Sequence, residues 1–312
     1  MRIAIAVLLL CPAFVSAQTE DAIKDIERKI ANLKAAKWVL QQEAADGGFY
    51  HAPQDPNIDA KPIPSLRATN GAVRALKYLG FPQLKGEREK HGAFVLKCYD
   101  PKTGGFAEMG GKPDVVITAI GVMAAMELQV PKEKFAKAMD YLKENAKTFE
   151  EVRIAAAAVE AWGVKDCPFD VEGWQKVASK YAQDNKDEPK DGGARGAGSI
   201  AAMMLRLGYS FSPVAVTETR DRLRDGQRDD GGWGKKGEKG SDIETTYRVM
   251  RALVLLKEKP KDTKKLRAFI ESHRTADDGG FAIKPGAKSS MSGAYYCVIV
   301  SKWLDEMETE KK

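Results

Sequence analysis

The sequence predicts an all-α protein, a closed double ring of about six helical hairpins. Three observations carry the prediction. First, a glycine corner recurs, at Asp46-Gly47-Gly48-Phe49, Gly104-Gly105-Phe106, Asp230-Gly231-Gly232-Trp233 and Asp278-Gly279-Gly280-Phe281. A worn copy, Asp191-Gly192-Gly193-Ala194, keeps the glycines and loses the aromatic. Second, each corner separates a polar, lysine-rich helical stretch from a small-residue, apolar one, and a unit of about 40–50 residues marks an array of like units. Third, the last unit ends on an apolar helix, whereas an open solenoid needs polar capping repeats at both ends.

The elements follow in order. Residues 1–17 read as a secretory signal: Arg2 supplies the positive start, Ile3 to Leu10 the apolar run, and Val15-Ser16-Ala17 a small-residue cleavage site. The run is too short to anchor in a bilayer, and no other segment is apolar for long enough, so the expectation is a secreted or periplasmic protein with no stable membrane span. Residues 18–35 form a leading helix or cap, residues 36–305 hold the six units, and residues 306–312 are a polar tail.

The first unit joins an outer helix through Lys37–Leu40 to an inner helix from Ser65 to Leu79. The second joins Phe94-Val95-Leu96 to Val115–Leu128. The third is degenerate, pairing Phe135–Tyr141 with Val152–Trp162 and having no Gly-Gly. The fourth pairs Val171–Tyr181 with Ser199–Leu207, the fifth Thr217–Arg224 with Ile243–Leu256, and the sixth Lys265–His273 with Met291–Leu304.

The second helix of each unit is apolar on most faces, as in Ala155-Ala156-Ala157-Ala158 and Ala201-Ala202-Met203-Met204, so it is buried on most faces. At the corners, glycine ends a helix at positive φ without a Cβ clash. The preceding aspartate accepts hydrogen bonds from turn amides, and the following aromatic plugs the seam to the next unit.

Composition narrows the function. The chain has 312 residues, 43% hydrophobic and 30% charged, enough for a large core. Its net charge of +6 is mild, and charges alternate, as in Lys85-Gly86-Glu87-Arg88-Glu89-Lys90. This is a solvated-helix pattern with no concentrated basic patch, so nucleic acid is not an expected partner. Beyond the signal stand Cys98, Cys167 and Cys297, an odd and widely spaced set that does not form a disulfide framework. A pairing of Cys98 with Cys167 stays open.

Gln227-Arg228-Asp229-Asp230-Gly231-Gly232-Trp233 matches the Gln-x-x-x-Gly-x-Trp signature of squalene and other triterpene cyclases. The same corner, with its Gly- and Lys-rich loop and small-residue helix, resembles protein prenyltransferase β subunits. So does Gly279-Gly280-Phe281-Ala282-Ile283-Lys284-Pro285-Gly286 followed by Tyr295-Tyr296-Cys297. The resemblance covers residues 36–305 and implies an α/α toroid.

It also implies where the family's chemistry would lie. Prenyltransferase β subunits hold zinc through an Asp, a Cys and a His on inner helices, and zinc activates a thiolate there. In this sequence those positions fall at Glu244, Thr246 and near Gly293, so two of three ligands are missing and neither zinc nor another cofactor is expected. The histidines do not rescue the site: His51 and His91 lie in early units and His273 ends an outer helix. The cyclases' Asp-x-Asp-Asp proton donor is absent as well. Asp242-Ile243-Glu244 is the nearest pairing.

Candidate site residues follow from inner-helix starts, which face one end of the central funnel and attract anions. Asp114, Asp242 and Glu244 sit at such starts, either as caps and dipole partners or, for Asp242 and Glu244, as a catalytic carboxylate pair. Arg67 and Arg248 either clamp a phosphate or carboxylate or pair with Asp242 or Glu244 across the ring. Trp233, Tyr247, Met291, Tyr295 and Tyr296 either line an apolar funnel or belong to the core.

The function expected is non-catalytic binding of an apolar or isoprenoid-like small molecule, or of a protein segment, in the funnel. The alternatives are a prenyltransferase β-like transferase with a rearranged site, a protein-interaction scaffold, and a polysaccharide-acting enzyme using Asp242 and Glu244.

Overall fold

The computed structural model describes residues 15–53, 62–184 and 190–309. The expected signal, residues 1–17, lies outside them except for its last three residues, where the first helix begins. Among the described residues there are twelve α-helices, no strand, and only isolated β-bridges.

The helices alternate between two rings. The outer ring holds α1 (Val15–Leu40), α3 (Lys85–Lys97), α5 (Lys137–Asn145), α7 (Glu172–Asp184), α9 (Pro213–Asp225) and α11 (Thr263–Glu271). The inner ring holds α2 (Leu66–Tyr78), α4 (Val115–Glu127), α6 (Phe149–Trp162), α8 (Lys190–Arg206), α10 (Ile243–Leu256) and α12 (Met291–Thr309). Each inner helix packs on the next, from α2 through α4, α6, α8 and α10 to α12, and α12 packs back on α2. That last contact closes the ring, and the fold is an α/α toroid.

Local chemistry sets the hairpins. Ser65, Asp114, Thr148 and Asp242 each cap an inner helix by accepting a backbone N–H three residues on. At the corners, Asp46, Asp230 and Asp278 accept the amide of the second glycine at 3.2, 3.0 and 2.9 Å. The first glycine has a positive φ in all four aromatic corners. Gly231 shows why nothing larger fits: its φ is +92°, and a Cβ there would lie 2.2 Å from the Lys265 carbonyl carbon.

The corner aromatics Phe49, Phe106, Trp233 and Phe281 are buried. Phe106 meets Phe135 of the next unit edge-on at 6.2 Å. In three units the aromatic's own N–H donates to a buried threonine one turn into the inner helix: Phe49 to Thr69, Phe106 to Thr118, and Trp233 to Thr246, at 2.9–3.0 Å.

Some elements differ from the sequence reading. The leading helix and the first outer helix are one unbroken helix, α1. Asp191-Gly192-Gly193-Ala194 is no corner but part of α8, which starts at Lys190 rather than near Ser199. Without an aromatic to anchor a reversal, the chain enters the helix early. Glycine then serves close packing there: a Cβ on Gly198 would sit 3.2 Å from the Val249 Cα. The first residues of the expected polar tail continue α12 to Thr309.

Cys98, Cys167 and Cys297 are free thiols. No helix among the described residues is long and apolar enough to cross a membrane.

Candidate functional site in the central funnel

All six inner helices contribute to one central cavity of about 340 Å³, within the range of small-molecule pockets. Arg67, Val116, Glu150, Glu244 and Met291 line it from the first two residues of their helices. The inner-helix N-termini therefore gather at one end, the mouth. One wall is apolar, made of Val116, Ile120, Met123, Ile154 and Ala157 from α4 and α6. Tyr247, Met291, Tyr295 and Tyr296 face it from α10 and α12.

A ladder of ion pairs ties α6, α8 and α10 together. Arg248 donates to Glu244 at 2.7 Å and reaches across the ring to Glu150 at 3.1 Å. Arg195 donates to the Thr245 hydroxyl at 2.6 Å and lies 3.5 Å from Glu244. Deeper, Glu160 pairs with Arg206 at 3.0 Å and with Arg251.

Burial pushes all three carboxylates up, but the adjacent guanidiniums outweigh it and hold them below the usual range. Arg153 and Arg248 act on Glu150, Arg206 and Arg251 on Glu160, and Arg248 and Arg195 on Glu244. These glutamates are anionic acceptors at neutral pH, unsuited to donating a proton.

The floor is aromatic and cationic. The Tyr247 and Tyr295 hydroxyls share a hydrogen bond of 3.0 Å, and Tyr247 stacks on Trp303 at 5.3 Å. Arg251 lies over the same indole and Arg74 over the Tyr295 ring. Burial would raise the Tyr247 phenol, yet the fields of Arg74, Arg206 and Arg251 bring it below its ordinary value. Tyr295, buried beside it, is pushed up.

Of the residues singled out in the sequence, Arg67, Glu244, Tyr247, Arg248, Met291, Tyr295 and Tyr296 line the funnel. Trp233 does not: it is fully buried between the rings and donates its indole N–H to Leu223 O at 2.7 Å. Its corner precedes the inner helix, which directs the ring into the seam rather than the funnel.

Asp242 also stays out of the lining, capping α10 through Thr245 N at 2.7 Å. Asp242 and Glu244 therefore form no paired acid and base in the cavity. Arg248 takes the ion-pair alternative. Arg67 is exposed and has no carboxylate partner among the described residues.

The structure adds residues that the sequence reading passed over. His51 stands at the mouth, 3.5 Å from the Ser292 hydroxyl, and burial together with the Arg67 charge lowers its pKa. Asn70, Glu150, Arg153 and Arg206 also line the cavity. For Asn70, Glu150 and Arg153 the available signal was a polar side chain in the first turns of a small-residue helix; Arg206, at the far end of α8, and His51, outside the helices, carried no such signal. By contrast, His91 and His273 are buried and bond to the Gly47 and Phe269 carbonyls.

The positions that would hold zinc do not fit it. Glu244 is engaged by two arginines, the Thr246 hydroxyl by the Trp233 amide, and a Cβ on Gly293 would lie 2.3 Å from the Phe281 carbonyl oxygen. Among the described residues no three His, Cys, Asp or Glu side chains converge as a metal site.

This geometry accords with the comparisons. The sequence matches the prenyltransferase alpha-alpha toroid domain over residues 9–163 and 194–311. The chain belongs to that family. Among solved structures, it is similar to Candida albicans protein geranylgeranyltransferase-I complexed with GGPP, with a TM-score of 0.59 and 13% identity over 78% of this chain and 85% of that one. It is also similar to the type II terpene cyclase MstE from Scytonema, with a TM-score of 0.57 and 10% identity over 89% of this chain and 97% of that one. At such identities the likeness concerns the fold. No curated protein matches in sequence.

Proposed function

We propose that this protein is an exported toroid that binds an apolar or isoprenoid-like small molecule in its central funnel, without zinc-dependent transfer. One observation carries the reading: a closed inner ring surrounds a cavity of about 340 Å³ with an apolar wall and aromatic floor, while the three zinc positions are committed to other contacts. Isoprenoids are the first ligand class to try, because one structural neighbour was solved with GGPP and the other is a terpene cyclase. The floor is closed by Tyr247 and Tyr295, with Trp303 stacked behind Tyr247, which favours a small molecule over a threaded protein segment. Export rests on the Arg2, Ile3–Leu10 and Val15-Ser16-Ala17 pattern, with a secreted or periplasmic destination.

Native mass spectrometry and metal analysis of protein purified from its own host test the proposal. A single nonpolar ligand per chain and no stoichiometric zinc is the expected result. One zinc per chain, together with prenyl transfer to a peptide, would refute it.

A further inference from the structure

Helix α1 has a second apolar face, turned away from the ring. Ile23, Ile26, Ile30, Leu33 and Leu40 are each between 45% and 56% exposed. They recur at intervals of three and four residues, with Lys37 in the one polar place. Residues 23, 30 and 37 are thus the a positions of a heptad, and residues 26, 33 and 40 its d positions. The ring-facing side of α1 is separate. Ala35, Trp38 and Val39 are buried there, Arg28 pairs with Asp305 of α12 at 3.0 Å, and Arg274 donates to the Ala31 carbonyl oxygen at 3.3 Å. Phe81, itself partly exposed, extends the apolar line beside Leu33 and Leu40. Single exposed apolar side chains need no explanation, but a continuous line of them marks an interaction site.

Charge identifies the occupant. Glu27 and Lys34 flank the seam at e positions and Lys29 at a g position, all exposed. Neither Glu27 nor Lys34 has an ion-pair partner among the described residues. Two parallel copies of α1 in register would stack Lys37 on Lys37 inside the seam and set Lys29 against Lys34. Two antiparallel copies, related by a two-fold axis between residues 31 and 32, avoid both. Ile30 of one copy then meets Leu33 of the other, and Ile23 meets Leu40. Lys37 lies along Ile26, with its ammonium reaching water. The same register sets Glu27 against Lys34 twice. Such self-complementarity is what a two-fold dimer requires. A helix lying on a membrane instead has a polar face rich in Lys and Arg, which Asp25 and Glu27 interrupt here.

We propose that this seam is a homodimer interface: two copies of the chain join through an antiparallel pair of α1 helices over residues 23–40, with reciprocal Glu27–Lys34 pairs fixing the register. No residue of the seam lines the central cavity, so the interface is separate from the funnel and does not rest on what the funnel binds.

Sedimentation velocity of the purified protein over a range of about 1–300 µM tests it. A monomer–dimer equilibrium with a Kd of about 100 µM or tighter is the expected result. Ile30→Glu places a charge in the central layer and leaves only monomer. Ile30 is exposed, so this variant does not put folding in question, and its helix content by circular dichroism matches wild type. Lys34→Glu turns two attractive pairs repulsive and weakens the dimer by about fivefold or more. Adding Glu27→Lys to that variant returns the affinity to within about twofold of wild type.

Monomer throughout the range would overturn the interface. A dimer untouched by Ile30→Glu would lie elsewhere on the surface and overturn the seam. Tighter association of Lys34→Glu would mark a parallel pair and overturn the antiparallel register. Wild-type monomer binding to phosphatidylcholine–phosphatidylglycerol vesicles, with the binding lost in Ile30→Glu, would give the face to a lipid surface and overturn the dimer.

Discussion

The threonine latch gives the sharpest prediction about what holds the ring together. Thr69, Thr118 and Thr246 are fully buried, and each accepts the N–H of a corner aromatic at 2.9–3.0 Å. Thr→Val conserves volume, so no cavity opens, but a buried backbone donor is left without an acceptor. Such a group costs about 1–3 kcal/mol. The added methyl recovers part of this by burial, leaving a net loss of about 1–2 kcal/mol per latch.

At this chain length about 1 kcal/mol moves the melting temperature by about 2 °C, so each variant melts about 2–4 °C lower. The three sites lie in different units, so the triple variant falls by about 6–12 °C through near-additive effects. Circular dichroism melts of the three single variants and the triple variant read this directly. Wild-type melting in the triple variant would refute the latch. A loss confined to one site would refute its repetition.

Two further predictions concern the site. Trp233→Ala destabilises by about 3–5 kcal/mol, as for a fully buried large aromatic, yet below its melting temperature it binds funnel ligands with unchanged affinity, because Trp233 lies outside the lining; titration calorimetry at low temperature checks this. The lowered folded pKa values of Glu150, Glu160 and Glu244 mean that their pairing stabilises the fold above their ordinary value of 4.5 and is lost as pH falls through the folded values. Denaturant melts therefore show declining stability below about pH 4.5. Glu160→Gln flattens that decline and costs about 2 kcal/mol at pH 7, a buried-pair loss discounted because the side chain is 33% exposed. A steeper acid decline in the variant would contradict the assignment.

Much of the ring was legible in the sequence because its punctuation is local. Gly47, Gly104, Gly231 and Gly279 need positive φ, and that need shows as Gly-Gly beside an aromatic. The small-residue runs gave the inner helices for a similarly local reason. Gly192-Gly193 misled because the same dipeptide, without an aromatic after it, lies inside α8 and makes no corner.

At the site, helix register placed Arg67, Tyr247, Arg248, Met291 and Tyr295 at the funnel, since a residue in the first turns of an inner helix has few other places to go. The partnerships were not legible. Arg248 meets Glu150 across 98 residues and Arg251 meets Glu160 across 91, separations that leave no local pattern.

The central claim is that the inner ring encloses a ligand-binding funnel, and Ala157→Trp tests it most directly. Ala157 sits on the apolar α6 wall of the cavity, so an indole there occupies the ligand's space without displacing the seams between the rings. The account predicts one saturable decanol site in the wild-type protein, an affinity loss of about tenfold or more in the variant, and a melting temperature close to wild type. Unchanged decanol affinity in a folded Ala157→Trp protein would contradict it.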